Sequence, residues 1–486
     1  LQNDTRCIPS LKSKKKMGNI ELENGNQESQ NPYLPLLQAQ QKYFRQQSSK
    51  PLQTRKGVLR KLAQLLKDKE SDLFEAIYTD FHKSAFETYA AELGFLQHEI
   101  AFALKHLNAW AKPKRVAHGL INFPGRSYVL SQPLGSTLII GAWNYPYQVS
   151  LLPAISALAA GNTVVIKPSE LVPATAAAMK QLINTNFPAE LIHVVEGAAT
   201  ETQQLVDLPW NSIFFTGSTR VGREIYQRAA KNLTPVTLEL GGKSPAFVLK
   251  DANLKDAAKK IAWAKCLNAG QTCVAPDFVW VEAEVRSAFI EELCKAFEAY
   301  PKAPDQASDQ YVKIISKRHT ERMASLLDSK QVVFGGQIDV EQRFVAPTLL
   351  HPVAWEDPVM QEEIFGPLLP IMEFENLEAA LNQALQQPSP LACYVFSTDS
   401  RRIRQILDTL PFGGGCVNDC LMHLANPRLP FGGVGHSGSG RYHGEAGFRT
   451  FSHEKSIVEK FGWFDAPVRY PPYLPWKWKV LRRLLP

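Results

Sequence analysis

The chain has 486 residues, 45% of them hydrophobic and 21% charged, with a formal net charge of +7. That length predicts two or three domains with ample core, so no metal or disulfide staple is needed. The basic residues are scattered apart from Lys12, Lys14, Lys15 and Lys16 and the C-terminal end; without zinc-finger spacing or a basic-aromatic ribbon, nucleic acid is not an expected partner.

Residues 1–30 are polar and lack the hydrophobic core of a signal peptide. They read as a disordered N-terminal extension, with Met17 as an alternative start. Met17-Gly18 is not a myristoylation signal, because Leu22 stands where Ser or Thr is required. Residues 34–67 and 69–110 carry apolar positions at helical spacing (Leu59, Leu62, Leu66; Leu96, Ile100, Leu104, Leu107) and predict long amphipathic helices. Pro113, Gly119, Pro124-Gly125 and Pro133 then punctuate short extended pieces, predicting a β-hairpin over 113–133.

From Ser136 the pattern alternates. Strands are expected at 138–140, 162–167, 192–195, 212–216 and 236–239, with helices at 148–160, 173–186, near 200–207 and from Val221. Alternation of this kind predicts a parallel, doubly wound sheet that binds ligands at the carboxyl ends of its strands. A second α/β unit runs from 245 to about 435. Its strands are expected at 246–249, 278–281, 332–334, 370–374, 392–396 and 415–417. Residues 445–460 are expected to be extended and to pair with the 113–133 hairpin.

The seven cysteines (Cys7, Cys266, Cys273, Cys294, Cys393, Cys416 and Cys420) are odd in number and without framework spacing. A reducing, cytoplasmic compartment is expected, and Cys416 and Cys420 read as structural. No metal site is expected. No apolar run reaches about 18 residues, so no transmembrane helix is expected. The tail Tyr473-Leu474-Pro475-Trp476-Lys477-Trp478-Lys479-Val480-Leu481-Arg482-Arg483 mixes tryptophans, leucines and cations. It has the composition of a peripheral membrane-interface segment over 474–486, or of an arm packed on the body or a partner subunit.

Chemistry concentrates at Asn268-Ala269-Gly270-Gln271-Thr272-Cys273-Val274-Ala275-Pro276-Asp277. A cysteine is most often a small buried hydrophobe, but a thiolate attacks carbonyls when a base or a lowered pKa activates it. Upstream, Glu239 lies between Leu238, Leu240 and two glycines, where poor solvation raises a carboxyl pKa toward a useful range; a helix-capping role is the plain alternative. Asn144, just past a strand end, is either an oxyanion donor, worth roughly 3 kcal/mol of barrier, or an Asx-turn residue before Pro146. Gly217-Ser218-Thr219-Arg220-Val221-Gly222 joins a strand to a helix, where glycines let a pyrophosphate approach the helix N-terminus. Lys167 and Glu170 close a strand and suit ribose hydroxyls, or form a solvated loop. Glu363 is a second buried carboxylate and Phe431 an aromatic at a glycine turn.

These pieces in this order resemble the NAD(P)-dependent aldehyde dehydrogenase superfamily over roughly residues 35–465. The resemblance rests on Leu238–Pro245, Gly270–Cys273, Trp143–Pro146, Ile166–Glu170, Phe215–Ser218 and Glu363–Pro367. Cys273–Asp277, Val417-Asn418-Asp419, Met422-His423, Leu429–Gly435 with Gly440–Gly444, and Arg469–Tyr473 are similar to its class 3, fatty-aldehyde branch. The resemblance implies that Cys273 attacks an aldehyde, that Asn144 and the Cys273 amide hold the oxyanion, and that hydride passes to nicotinamide. Glu239 then activates water to hydrolyse the thioacyl enzyme. It also implies that Lys167, Glu170, Gly217, Ser218, Gly222, Glu363 and Phe365 bind NAD, with NADP open, and that Tyr145, Phe431 and His423 face a lipophilic aldehyde. The fold it implies is α/β, with a Rossmann-like cofactor domain (31–112 and 134–241), a second α/β catalytic domain (242–440) and a β-hairpin oligomerisation arm (113–133 and 441–470) serving a homodimer; residues 471–486 form the tail. A coenzyme A-acylating dehydrogenase is the rival, against which Glu239 argues. A non-catalytic relative is another, against which the joint presence of Cys273, Glu239 and Asn144 argues.

Overall fold

The computed structural model describes residues 31–119, 122–306, 311–328 and 331–484; the predicted N-terminal extension lies outside them. Two sheets carry the molecule. The first has six strands in the order Gly438–Ser439, Val236–Glu239, Ser212–Thr216, Ser136–Ile140, Thr163–Lys167 and Ile192–Val194. All pairs are parallel except the outermost, where Gly438 faces Glu239. Every residue of Ser136–Ile140 and Thr163–Lys167 is buried, as expected of parallel strands covered on both faces. The second sheet has seven strands, ordered 332–334, 348–350, 368–374, 278–282, 245–248, 392–396 and 414–417.

Helix Pro146–Ala160 is apolar all round (Leu151, Leu152, Ile155, Leu158) and almost wholly buried, which makes it a core helix. It packs against the first sheet and against Leu52–Asp68 and Gly94–Trp110. The helical stretch expected over 69–110 is interrupted. Helix Glu70–Phe81 stops at His82, whose φ of 57° is left-handed, and a π turn at Tyr89–Leu93 precedes Gly94–Trp110.

A third sheet is antiparallel: Ser452–Lys460 pairs with Gly125–Pro133 along its length, and Lys114–Val116 pairs with the other edge. The expectation of extended chain over 445–460 is corrected at its start, because Gly444–Thr450 is a helix. Gly447 there leaves room for Ser156, whose Oγ would lie 2.3 Å from an added Cβ. Packing against the core helix therefore decides the conformation. Among the described residues no helix is long and apolar enough to cross a membrane.

Candidate active site

Cys273 sits in the turn that joins the second sheet to the helix before it. Helix Leu254–Cys266 ends, and Asn268, Ala269 and Gly270 follow with φ of 53°, 51° and 73°. Three successive left-handed residues reverse the chain tightly. Only glycine fits at 270, since a Cβ there would lie 2.3 Å from the Gly366 carbonyl oxygen. Thr272 O then accepts from Ala275 N at 2.9 Å, placing Cys273 inside the turn. Its sulfur faces the amides of Cys273 and Val274, which favour the thiolate. Burial outweighs them, and with Glu363 and Glu239 nearby pushes the thiol up to about 12.

Glu239 ends its strand 2% exposed, and both carboxylate oxygens lack hydrogen-bond partners among the described residues. Burial raises its pKa well above the usual carboxylate range. Glu363 lies on Gly241, where an added Cβ would come 1.9 Å from Oε2. Burial first, then Asp277, raise Glu363 to about 8, opposed by a hydrogen bond from the Gly242 amide and by Lys243 and Lys265. Asp277 knits the neighbouring segments together: it accepts from Ile364 N at 2.9 Å, pairs with Lys243, and donates its own N–H to Ser244 O at 2.8 Å.

Asn144 is buried. Its Nδ2 donates to Gln271 O at 3.1 Å, and Tyr145 Oη meets Thr272 Oγ1 at 2.6 Å. The loop after strand 136–140 and the loop bearing Cys273 are thus bonded side by side. An amide nitrogen carries two hydrogens, so Asn144 keeps one for a ligand. On the other flank, Tyr394 Oη donates to Val274 O at 2.6 Å, and Tyr394, His423, Phe431, Tyr442 and His443 form a continuous ring cluster. His423 Nδ1 lies 3.5 Å from Cys416 Sγ. Burial lowers His423 to about 4 and, with His423 beside it, His443 to about 3, so this wall is neutral at pH 7. Phe365, at φ 57°, meets Trp143 edge-on at 5.3 Å between ring centroids, and Trp143 meets His319 at 5.5 Å.

The other expected cofactor residues lie at the carboxyl ends of the first sheet. Ser218 caps helix Thr219–Ala229 through Val221 N, and Gly217 N donates to Glu239 O at 3.0 Å. Gly222 has a packing role as well: a Cβ there would meet Leu240 at 2.7 Å. Lys167 is buried, donates to Pro168 O at 2.7 Å and lies 3.6 Å from Glu170, which is half exposed. A cleft of about 310 Å³ between the sheets is lined by Thr219, Gly241, Gly242, Glu362, Glu363 and His436. It reaches Glu363 without touching Cys273. The helix N-terminus at Thr219 and the glycine backbone at Gly241 and Gly242 on such a cleft fit a dinucleotide. Among the described residues no cluster of His, Cys, Asp and Glu suits a metal ion.

His319 and Tyr394 were not singled out from the sequence, and Trp143, Tyr442 and His443 were named only as parts of the motifs Trp143–Pro146 and Gly440–Gly444, with no site role. Aromatic residues are ordinary core material, and only the fold shows which of them meet beside Cys273.

A sequence model described as the aldehyde dehydrogenase family matches residues 23–457. The chain belongs to the aldehyde dehydrogenase family. It is similar to 4,4'-diaponeurosporen-aldehyde dehydrogenase of Staphylococcus aureus strain NCTC 8325, at 47% identity over 89% of this chain and 94% of that protein. It is also similar to the dimeric NADP-preferring aldehyde dehydrogenase of Mus musculus, at 40% identity over 88% and 95%. Family 3 members from animals and plants are among its relatives. A solved structure titled as the substrate-bound state of Staphylococcus aureus AldH aligns with a TM-score of 0.90 and 45% identity, covering 93% of this chain and 99% of that one. This aldehyde dehydrogenase oxidises aldehydes to carboxylic acids with NAD or NADP.

One prediction follows from the charge around the sulfur. A thiol at about 12 exposes a thiolate fraction that rises about tenfold per pH unit below that value. Alkylation of Cys273 by iodoacetamide is therefore expected to climb without a plateau from pH 7 to 10. Glu363→Gln removes a negative neighbour, stabilises the thiolate and speeds alkylation at pH 8. A plateau near pH 8 in the parent enzyme, or slower alkylation of the variant, contradicts the electrostatics described.

Proposed function

We propose that Cys273 is the acyl-carrying nucleophile of this aldehyde dehydrogenase and Glu239 its general base, with Asn144 as oxyanion donor. The observation that carries the reading is the grouping around one sulfur: two inward-facing amides, an asparagine one loop away, and an unpartnered buried carboxylate. In this mechanism the sulfur adds to the aldehyde carbon. Negative charge developing on the oxygen is held by the second Asn144 N–H and the Cys273 amide. NAD(P), when bound, supplies the hydride acceptor. Cys273 then carries the acyl group as a thioester. Glu239 takes a proton from the water that attacks it, and the thiol is released with the carboxylic acid. Lys167, Glu170, Gly217, Ser218 and Gly222 would hold the adenosine and pyrophosphate, and Glu363 and Phe365 the nicotinamide side. This division makes residues 31–112 and 134–241 the cofactor domain and 242–440 the catalytic domain.

The substrate side is assigned to Tyr145, Phe431 and His423. A neutral, ring-lined wall favours apolar aldehydes, as does similarity to an enzyme named for 4,4'-diaponeurosporen-aldehyde. Medium- and long-chain alkanals and apocarotenal-type aldehydes are the proposed class. The test is NAD(P)H formation from a panel of such aldehydes, with NAD and NADP in parallel and with and without coenzyme A. Turnover independent of coenzyme A and rising with chain length is expected. An absolute requirement for coenzyme A would assign the acylating chemistry instead.

The same reading makes residues 113–133 and 441–470 the dimer arm, and the tail a peripheral membrane contact. In helix Pro475–Leu484, Trp476 and Trp478 are 49% and 59% exposed, next to Lys479, Arg482 and Arg483. Tryptophan beside cations suits the headgroup layer of an anionic bilayer. Flotation with phosphatidylserine-containing vesicles should carry the full chain upward at low salt, and a chain lacking 474–486 should stay at the bottom. Equal behaviour of the two removes the tail from membrane contact.

A further inference from the structure

Two buried charges outside both sheets reach the oxyanion loop. Lys83 and Glu92 form an ion pair of 2.8 Å with both side chains at 0% exposure. Lys83 follows the left-handed stop at His82, and Glu92 lies in the π turn Tyr89–Leu93. A π turn adds a residue to the helical repeat and so re-aims the side chains within it.

What the pair holds is specific. Glu92 Oε2 accepts from Tyr147 N at 2.8 Å and Gln148 N at 3.3 Å, the first free amides of the core helix that begins immediately after Asn144-Tyr145. Lys83 Nζ donates to the Asn144 carbonyl at 3.2 Å and sits 4.1 Å over the Tyr145 ring. The same carbonyl accepts from Asn268 Nδ2 at 2.8 Å. Asn268 N in turn donates to Glu87 Oε1 at 2.7 Å, from the short helix between Lys83 and Glu92. One segment, residues 83–92, thus grips the oxyanion loop by its carbonyl and its helix, and grips the nucleophile loop by Asn268. A buried pair is not needed for stability as such, since apolar replacements of pairs like this are often neutral.

We propose that Lys83 and Glu92 are positioning residues that set the Asn144 amide at the reacting oxygen. The proposal rests on the oxyanion role assigned to Asn144. Glu92 and Glu87 are the carboxylates that face Lys83.

The test uses two reactions of the same sulfur on the full chain without cofactor. Acylation by p-nitrophenyl acetate passes through a tetrahedral oxyanion; alkylation by iodoacetamide does not. The double variant Lys83→Met/Glu92→Gln removes both charges of the pair together, Glu87 keeps its bond from Asn268 N, and Gln keeps an acceptor for Tyr147 N. It is expected to slow acylation at least tenfold while alkylation stays within twofold of the parent. Combined with Asn144→Ala, it should add less than twofold to the loss from Asn144→Ala alone, because residues acting through one group are not additive. Full additivity, or equal slowing of alkylation, overturns the positioning role. If Asn144→Ala itself leaves acylation unchanged, the oxyanion assignment fails, a different result from loss in Asn144→Ala with none in the double variant. Should the double variant not fold, Glu92→Gln carries the same cycle. Lys83 keeps Glu87 beside it and its bond to the Asn144 carbonyl in that variant, so a smaller loss with the same non-additivity is expected, and additivity again overturns the role.

Discussion

One equivalent of NAD(P)H per active site, followed by near silence, is expected when Glu239→Gln enzyme meets saturating aldehyde and cofactor. Glutamine keeps the shape of the side chain and cannot take a proton. The first half of the reaction needs a reactive sulfur, and Glu239→Gln leaves in place the Cys273 and Val274 amides that favour the thiolate. The second half needs water to be deprotonated beside the thioester. A buried carboxylate whose two oxygens have no hydrogen-bond partner among the described residues is suited to that task, and a positioned base contributes about 10²–10⁴-fold. Rapid-quench or stopped-flow measurement should therefore show a burst of normal rate and a steady rate reduced by that factor. A steady rate near the parent's removes Glu239 from the role.

Asn144→Ala is expected to lower kcat by about 10²–10³-fold, the usual effect of deleting one oxyanion donor. KM for aldehyde should change little, because the N–H matters most to charge that develops after the ground state. No burst should appear, since the step before the thioester is the one slowed. Structural loss is modest: Asn144 Nδ2 contributes one bond to Gln271 O, whereas Asn268 Nδ2 also donates to that carbonyl at 3.1 Å. A raised KM with kcat preserved would instead make Asn144 a ground-state contact.

The alternation of strands and helices was legible in the sequence because parallel strands buried on both faces are continuous apolar runs, such as Val164-Val165-Ile166. In the loop bearing Cys273 only Gly270 marks a turn in the sequence; the left-handed backbone at Asn268 and Ala269 emerges from the fold. Strand 438–439 was not. A Gly-Ser pair has no strand preference, and its pairing with Glu239 and Leu238 comes from the tertiary fold. The helix at 444–450 was missed for a related reason: it is held by Gly444 N donating to the buried Glu99 at 2.5 Å, a partner far away in the chain. Lys83 and Glu92 fall inside the stretch 69–110 predicted as long amphipathic helices, and nothing local marks the π turn Tyr89–Leu93 or the burial of the pair. Gly222 was expected only at the cofactor phosphates, and its packing against Leu240 emerges from the fold.

The most direct test of Cys273 as acyl carrier is intact and peptide mass spectrometry of Glu239→Gln enzyme quenched after mixing with a long-chain aldehyde and NAD. The expected product is a single adduct on Cys273, equal in mass to the aldehyde less two hydrogens, stoichiometric with the NADH formed and absent from Cys273→Ser. NADH formation without such an adduct, or an adduct on another residue, would contradict the mechanism.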